Sequence, residues 1–275
     1  MKKMDIENYK KQVRTIQELD LEMILEVDRL CKKHNLKYFL AYGTLLGAIR
    51  HNGFIPWDDD ADLFMPFEDY ERLQEITKTE LSDKFRFEDI YSMPDNIVPW
   101  GKVLYKGKIE EDYPRQGLDV HHEISIDIFP LYHYSNKPAD IKRLGRKSFA
   151  LFHILIGKVN WKNENKFKYW LSRLYSFVHF GSKTKYKKEF MNLLQSKEGV
   201  EYDYFIAPTC GTDQDKNIFP VKWFDQIVLH EFEGYNLPIP ESYQAFLTMS
   251  YGEYMTLPSE DRRWNVNHKI IRLEL

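Results

Sequence analysis

The chain has 275 residues, a formal net charge of -3 and a sequence pI of about 6.3. That length holds one large domain or two small ones, each able to bury a core, and the near-neutral balance gives no whole-chain affinity for nucleic acid. Cys31 and Cys210 lack spaced partners, which excludes a disulfide framework and a cysteine-built zinc site and leaves a reducing, cytoplasmic setting as the expectation.

Residues 1–12 are charged and lack the apolar stretch of a secretory signal. Ile16, Leu19, Met23, Ile24, Val27, Leu30 and Cys31 then recur at helical spacing and predict an amphipathic helix. Tyr38 to Tyr42 reads as a short strand stopped by Gly43, and Thr44 opens a helix over Leu45 to Arg50. Asp60 to Met65 alternates polar and apolar residues as a half-buried strand does, with Pro66 closing it and a helix resuming from Phe67 to Ile76. Phe85 to Ile90, Lys102 to Tyr105 and Ile124 to Phe129 are further candidate strands, separated by turn-rich pieces at Met93 to Asn96 and Tyr113 to Gly117.

Ile141 to Lys188 differs in composition: about a dozen Lys and Arg are interleaved with aromatic and aliphatic residues, and Glu164 is the only acid. This predicts a basic helical insertion at about 138–195. Its most apolar run, Phe149 to Gly157, falls short of the roughly 20 residues that span a bilayer. Strands around Ile227 to Phe232 and Gly234 to Leu237, with a helix near Tyr243 to Met249, make up a C-terminal region at about 200–275.

On a strand, Asp60 and Asp62 share one face while Ala61, Leu63 and Met65 take the other. Asp127, on Ile124 to Phe129, lies opposite Ile124, Ile126 and Ile128 and completes a three-carboxylate cluster of the kind that two-metal phosphoryl transfer uses. An EF-hand is excluded, since Leu63 stands where its glycine belongs and Asp69 where its glutamate belongs. A solvated turn at Asp58 to Asp60 and the Asp-x-Asp of a nucleotide-sugar glycosyltransferase remain open as alternatives. Gly43 and Thr44 favour phosphate chemistry, because a glycine opening a helix lets main-chain N–H groups approach an anion. This order of parts matches the nucleotidyltransferase fold: an α+β domain over residues 1–275, with a mixed sheet flanked by helices.

Read continuously, Tyr42 to Leu63 (YGTLLGAIRHNGFIPWDDDADL) resembles the LicD family of bacterial phosphorylcholine transferases, which includes more distantly fukutin and fukutin-related protein. The resemblance extends to Ile126 to Pro130 and to Tyr251 to Pro258 with Arg262 and His268. It implies a divalent metal, Mg2+ or Mn2+, and transfer of a phosphorylated alcohol from CDP-choline or another CDP-alcohol to a sugar hydroxyl, releasing CMP. On this sequence Asp60, Asp62 and Asp127 become metal ligands, with Asp127 also helping to deprotonate the acceptor. Gly43 and Thr44 become donor-phosphate contacts, as do Arg50, His51 and Lys102. Trp57 and Trp100 are candidates for an aromatic box around a quaternary ammonium.

Lys142, Arg143, Arg146 and Lys147 precede one apolar stretch, and Lys183, Lys185, Lys187 and Lys188 follow another containing Trp170, Leu171, Leu174 and Phe177. Two readings stay open: peripheral contact with the inner face of the plasma membrane near a lipid-linked glycan or teichoic-acid precursor, and a solvated helical face. His121, His122 and Glu123 are not expected to bind zinc, because neighbouring side chains on a strand face opposite ways.

Overall fold

The computed structural model describes residues 6–96, 98–110, 119–156, 170, 174, 183–195, 201–209, 214–264 and 273–274. Helix α1 (Ile6–His34) buries its apolar stripe, including Val13, Ile16, Met23, Ile24, Val27 and Leu30. Strand β1 (Phe39–Leu40), helix α2 (Tyr42–His51), strand β2 (Asp62–Pro66), helix α3 (Phe67–Glu80) and strands β3 (Phe85–Glu88), β4 (Gly101–Glu110) and β5 (Glu123–Tyr134) follow. Helices α4 (Pro138–Ile156) and α5 (Lys183–Leu194) lead to β6 (Tyr204–Ile206), β7 (Ile218–Pro220), β8 (Ile227–Phe232) and β9 (Tyr235–Pro240). Helices α6 (Tyr243–Tyr251) and α7 (Glu260–Arg263) and strand β10 (Leu273–Glu274) complete the described α-helices and strands.

The sheet is mixed. β2 pairs antiparallel with β1 and parallel with β5, β4 is antiparallel to β5, and both β3 and β10 pair with β4. Beyond the carboxylate region, β5 continues to Tyr134 and pairs with β6, which carries β7. The result is the expected α+β architecture, a mixed sheet flanked by helices.

Several boundaries move. β2 starts at Asp62 rather than Asp60 and runs through Pro66, whose missing N–H is tolerated at the strand's last residue. α2 starts at Tyr42, so Gly43 and Thr44 lie inside its first turn rather than ahead of it. β4 and β5 both outrun their apolar cores, because pairing with β10 and β6 extends them past the segments their hydrophobicity marks. The turn at Tyr113 to Gly117 lies outside the described residues.

One face of the sheet is apolar: Leu63, Met65, Val103, Ile124, Ile126 and Ile128 are buried. α1 and α3 cover it, as the Tyr105 hydroxyl donating to Glu22 at 3.1 Å and the Tyr70 ring 6.0 Å from Phe87 show. The opposite face is divided along the strands. Phe64 and Phe129 form an aromatic cluster there with Tyr42, Phe246 and Trp100, while the neighbouring positions toward the strand starts are charged.

α4 and α5 lie within the basic segment. Leu144, Phe190 and Leu194 make a smaller core with Tyr132, Tyr134, Ile206 and Ile218. Lys187 is buried, and its ammonium donates to the carbonyls of Ile90, Met93 and Pro94 at 2.7, 3.2 and 3.4 Å. Trp170 and Leu174 are exposed, whereas Leu171 and Phe177 lie outside the described residues. No helix among the described residues is long and apolar enough to cross a membrane.

Candidate active site

Strand register assembles the site. Asp62 stands beside Asp127 across the parallel β2–β5 pair, and Lys102 stands on the other side of Asp127 across β4–β5. Register partners point to the same face, so the side chains from three strands meet there. The main-chain N–H of Asp127 donates to the Ala61 carbonyl at 2.9 Å, which places Asp60 and Ala61 at the entry of β2 against β5. Lys102 Nζ donates to Asp127 Oδ1 and lies 3.5 Å from Ser125 Oγ.

The electrostatics are those of crowded like charges. Burial, then Asp60, Asp127 and Asp58, push the Asp62 carboxyl well above the usual carboxylate range, against the pull of Lys102. Asp60 is exposed to water. Protein crowding and the charges of Asp59 and Asp127 push it up to about 6. Asp58 goes up to about 8, through burial and then the charges of Asp60 and Asp59. Among the described residues no three ligating side chains are closed tightly enough to hold a metal as they stand. The donor set still fits a hard divalent cation: it is all oxygen, mutually repelling, and compensated chiefly by Lys102.

Thr44 is buried, and its hydroxyl accepts the Asp62 N–H at 2.8 Å, so α2 fixes the start of β2 through this side chain. Gly43 lets Asp58 approach the helix: a Cβ there would lie 2.7 Å from Asp58 Oδ2. Arg50 Nη1 donates to the Tyr254 carbonyl at 2.9 Å and its Nε to His51 Nε2 at 3.0 Å. Burial and Arg50 push the His51 imidazole below its ordinary value. Trp57 packs edge-on to His51 and to Trp264, and the Arg263 guanidinium lies 5.6 Å from its ring centre. Trp100 rests on Phe129 at 4.7 Å with its indole N–H buried and unpaired among the described residues.

Two neighbours of the cluster carry no mark of their position in the local sequence. Tyr251, at the end of α6, has its phenol pushed above the ordinary tyrosine range by burial and then by Asp62, Asp58 and Asp60. Arg263 meets Trp57. The pattern of Tyr251 to Pro258 was visible, but nothing local signals that it returns to strands 190 residues earlier.

The segment before the acids is braced from both sides. Gln17 on α1 donates to the carbonyls of Ile55 and Asp58 at 3.0 and 2.8 Å. β8 and β9 form a hairpin whose two-residue loop, Glu233 and Gly234 with φ of 50° and 81°, is a type I′ turn. Glu233 Oε1 accepts the Phe54 N–H at 3.1 Å, Glu233 N donates to the Asn52 carbonyl at 2.9 Å, and Arg14 closes on Glu233 Oε2 at 2.9 Å.

A mixed sheet that gathers carboxylates from neighbouring strands beside a glycine-containing helix start defines a nucleotidyltransferase-type domain. Residues 35–155 match the family model described as LicD/FKTN/FKRP, nucleotidyltransferase domain. The chain is 30% identical over 241 residues to lipopolysaccharide cholinephosphotransferase LicD of Haemophilus influenzae, covering 84% of this chain and 87% of that protein. It is 27% identical over 97 residues to human ribitol 5-phosphate transferase FKRP, covering 35% of this chain and 17% of that protein. The chain therefore belongs to the LicD family.

Proposed function

We propose that this protein transfers phosphocholine, or a related phospho-alcohol, from a CDP-linked donor to a hydroxyl of a cell-surface glycan or teichoic-acid precursor, releasing CMP. The observation that carries the reading is the row of Asp62, Asp127 and Lys102 across three adjacent strands, with Asp60 beside it. Its support from relatives is the similarity to the Haemophilus cholinephosphotransferase over most of both chains.

In this reading Asp60, Asp62 and Asp127 hold Mg2+ or Mn2+, which when bound supplies positive charge to the donor's diphosphate. The acceptor oxygen forms a bond to the phosphorus that carries the alcohol, the bond from that phosphorus to the CMP oxygen breaks, and Asp127 receives the hydroxyl proton. Lys102 orients Asp127 and adds a cation beside the transferred group. Arg50, with Gly43 and the first turn of α2, faces the donor's phosphates on the β2 side. The basic helices α4 and α5 rest on the inner face of the plasma membrane near a lipid-linked acceptor; salt-sensitive pelleting with anionic liposomes tests this part.

Incubating the protein with CDP-choline, Mg2+ or Mn2+ and candidate glycans should give CMP and a glycan heavier by phosphocholine in the mass spectrum. A nucleotide or sugar adduct instead would refute the reading and favour nucleotidyl or glycosyl transfer. Ribitol phosphate is the second group to test. The FKRP similarity favours it, and so does Arg263, a cation already standing on the Trp57 ring that choline would use.

A further inference from the structure

The charged row does not stop at Lys102. Glu88 on β3 is the register partner of Lys102, so Asp62, Asp127, Lys102 and Glu88 run across four strands on one face. With adjacent strands about 4.8 Å apart, Glu88 sits roughly 10 Å from Asp127. Glu88 is buried, and its Oε1 bonds to His121 Nδ1, from the segment that leads into β5. Arg86 Nε lies 3.0 Å from the same oxygen as an ion pair without hydrogen-bond alignment, and Arg86 Nη2 donates to Glu123 at 2.5 Å.

This arrangement fixes the imidazole. A carboxylate only accepts hydrogen bonds, so a ring hydrogen lies on Nδ1 toward Glu88 and Nε2 is turned away from it. Nε2 has no hydrogen-bond partner among the described residues, and the side chain is 35% exposed. Among the described residues no group of three His, Cys, Asp or Glu side chains is placed to hold a metal ion as it stands.

The geometry points to a subsite in which His121, oriented by Glu88, hydrogen-bonds through Nε2 to a hydroxyl of the glycan acceptor. This rests on the transferase reading. There the donor's phosphates lie on the β2 and α2 side, and an in-line displacement brings the acceptor from the opposite side, which is the side of β4 and β3. His121 is a binding residue in this scheme, and Glu88 and Arg86 are positioning residues.

The test uses the full chain, CDP-choline as donor, and oligosaccharide freed from lipopolysaccharide by removing the lipid. In protein labelled at histidine, the His121 ring signals, assigned by their loss in His121→Gln, should shift on adding oligosaccharide. His121→Ala should raise the acceptor KM about tenfold more than the donor KM, the effect of one lost hydrogen bond, with His121→Gln recovering part. A His121 signal that stays unmoved at saturating oligosaccharide, or equal changes in the two KM values, overturns the subsite. If the signal shifts while CDP-choline is not consumed, the subsite stands and the phosphocholine reading fails.

Discussion

Replacing Gly47 by alanine sets two effects of opposite sign against each other. In an isolated helix the change is favourable by about 1 kcal/mol, because glycine loses more backbone freedom on folding. Here a Cβ at position 47 would lie 2.4 Å from the Gly53 carbonyl oxygen, 3.1 Å from Ile55 N and 3.4 Å from Phe54 C. All three are main-chain atoms. A carbon needs about 3 Å or more from an oxygen, so the loop would have to move by more than roughly half an ångström. That loop places Phe54 and Ile55 in the core and carries the Ile55 carbonyl that Gln17 holds. Overpacking of this kind costs about 1–3 kcal/mol, and rigid neighbours put it at the upper end. The net expectation is a loss of about 2 kcal/mol, or about 4–8 °C in melting temperature, read by urea and thermal unfolding. Transfer activity should fall as well, because the same loop leads into Asp58 to Asp62. A variant as stable as the parent, or more so, would show that helix propensity decides and that the close approach is not rigid.

Asp62→Asn should abolish most transfer, by at least about a hundredfold, while raising the thermal midpoint of metal-free protein, since it removes a half-buried carboxyl whose charge its neighbours oppose. A lowered midpoint with activity retained would contradict both the site and its electrostatics. Burial of Glu233 raises its carboxyl, but the hydrogen bonds from Arg14 and the Phe54 N–H outweigh it and hold the group below the usual range. A depressed folded value contributes stability above the unfolded value near 4.5, and that contribution is lost as pH falls through the folded value. Glu233→Gln should therefore lower the urea midpoint at pH 7 and approach the parent in acid; parallel pH curves would refute the pairing. Lys187→Met, which keeps the length of the stem but leaves the carbonyls of Ile90, Met93 and Pro94 without the ammonium, should cost about 1–3 kcal/mol in urea unfolding. An unchanged midpoint would mean that water replaces it.

The acidic pair and its partner strand were legible because alternation writes itself into a half-buried strand. Ile124, Ile126 and Ile128 on one side leave Asp127 only the other. The start of β2 was not legible. The pattern runs smoothly back to Asp60, and only the Thr44 hydroxyl and the pairing with β1 decide that the ladder begins at Asp62. The position of Lys102 beside Asp127 depends on a register that shifts between Leu104 and Ile109, an irregularity without a mark in hydrophobicity. The approaches of Tyr251 and Arg263 depend on contacts between distant parts of the chain.

The turn at Glu233 has a further consequence for how the protein is made. As the chain leaves the ribosome, the acids and the strand that bears Asp127 emerge about a hundred residues before one clasp of the loop that leads into them. Until then Phe54 and Asn52 keep main-chain groups that only the late hairpin satisfies. A nascent chain thus has the acids well before it has the fastening of the loop that leads into them.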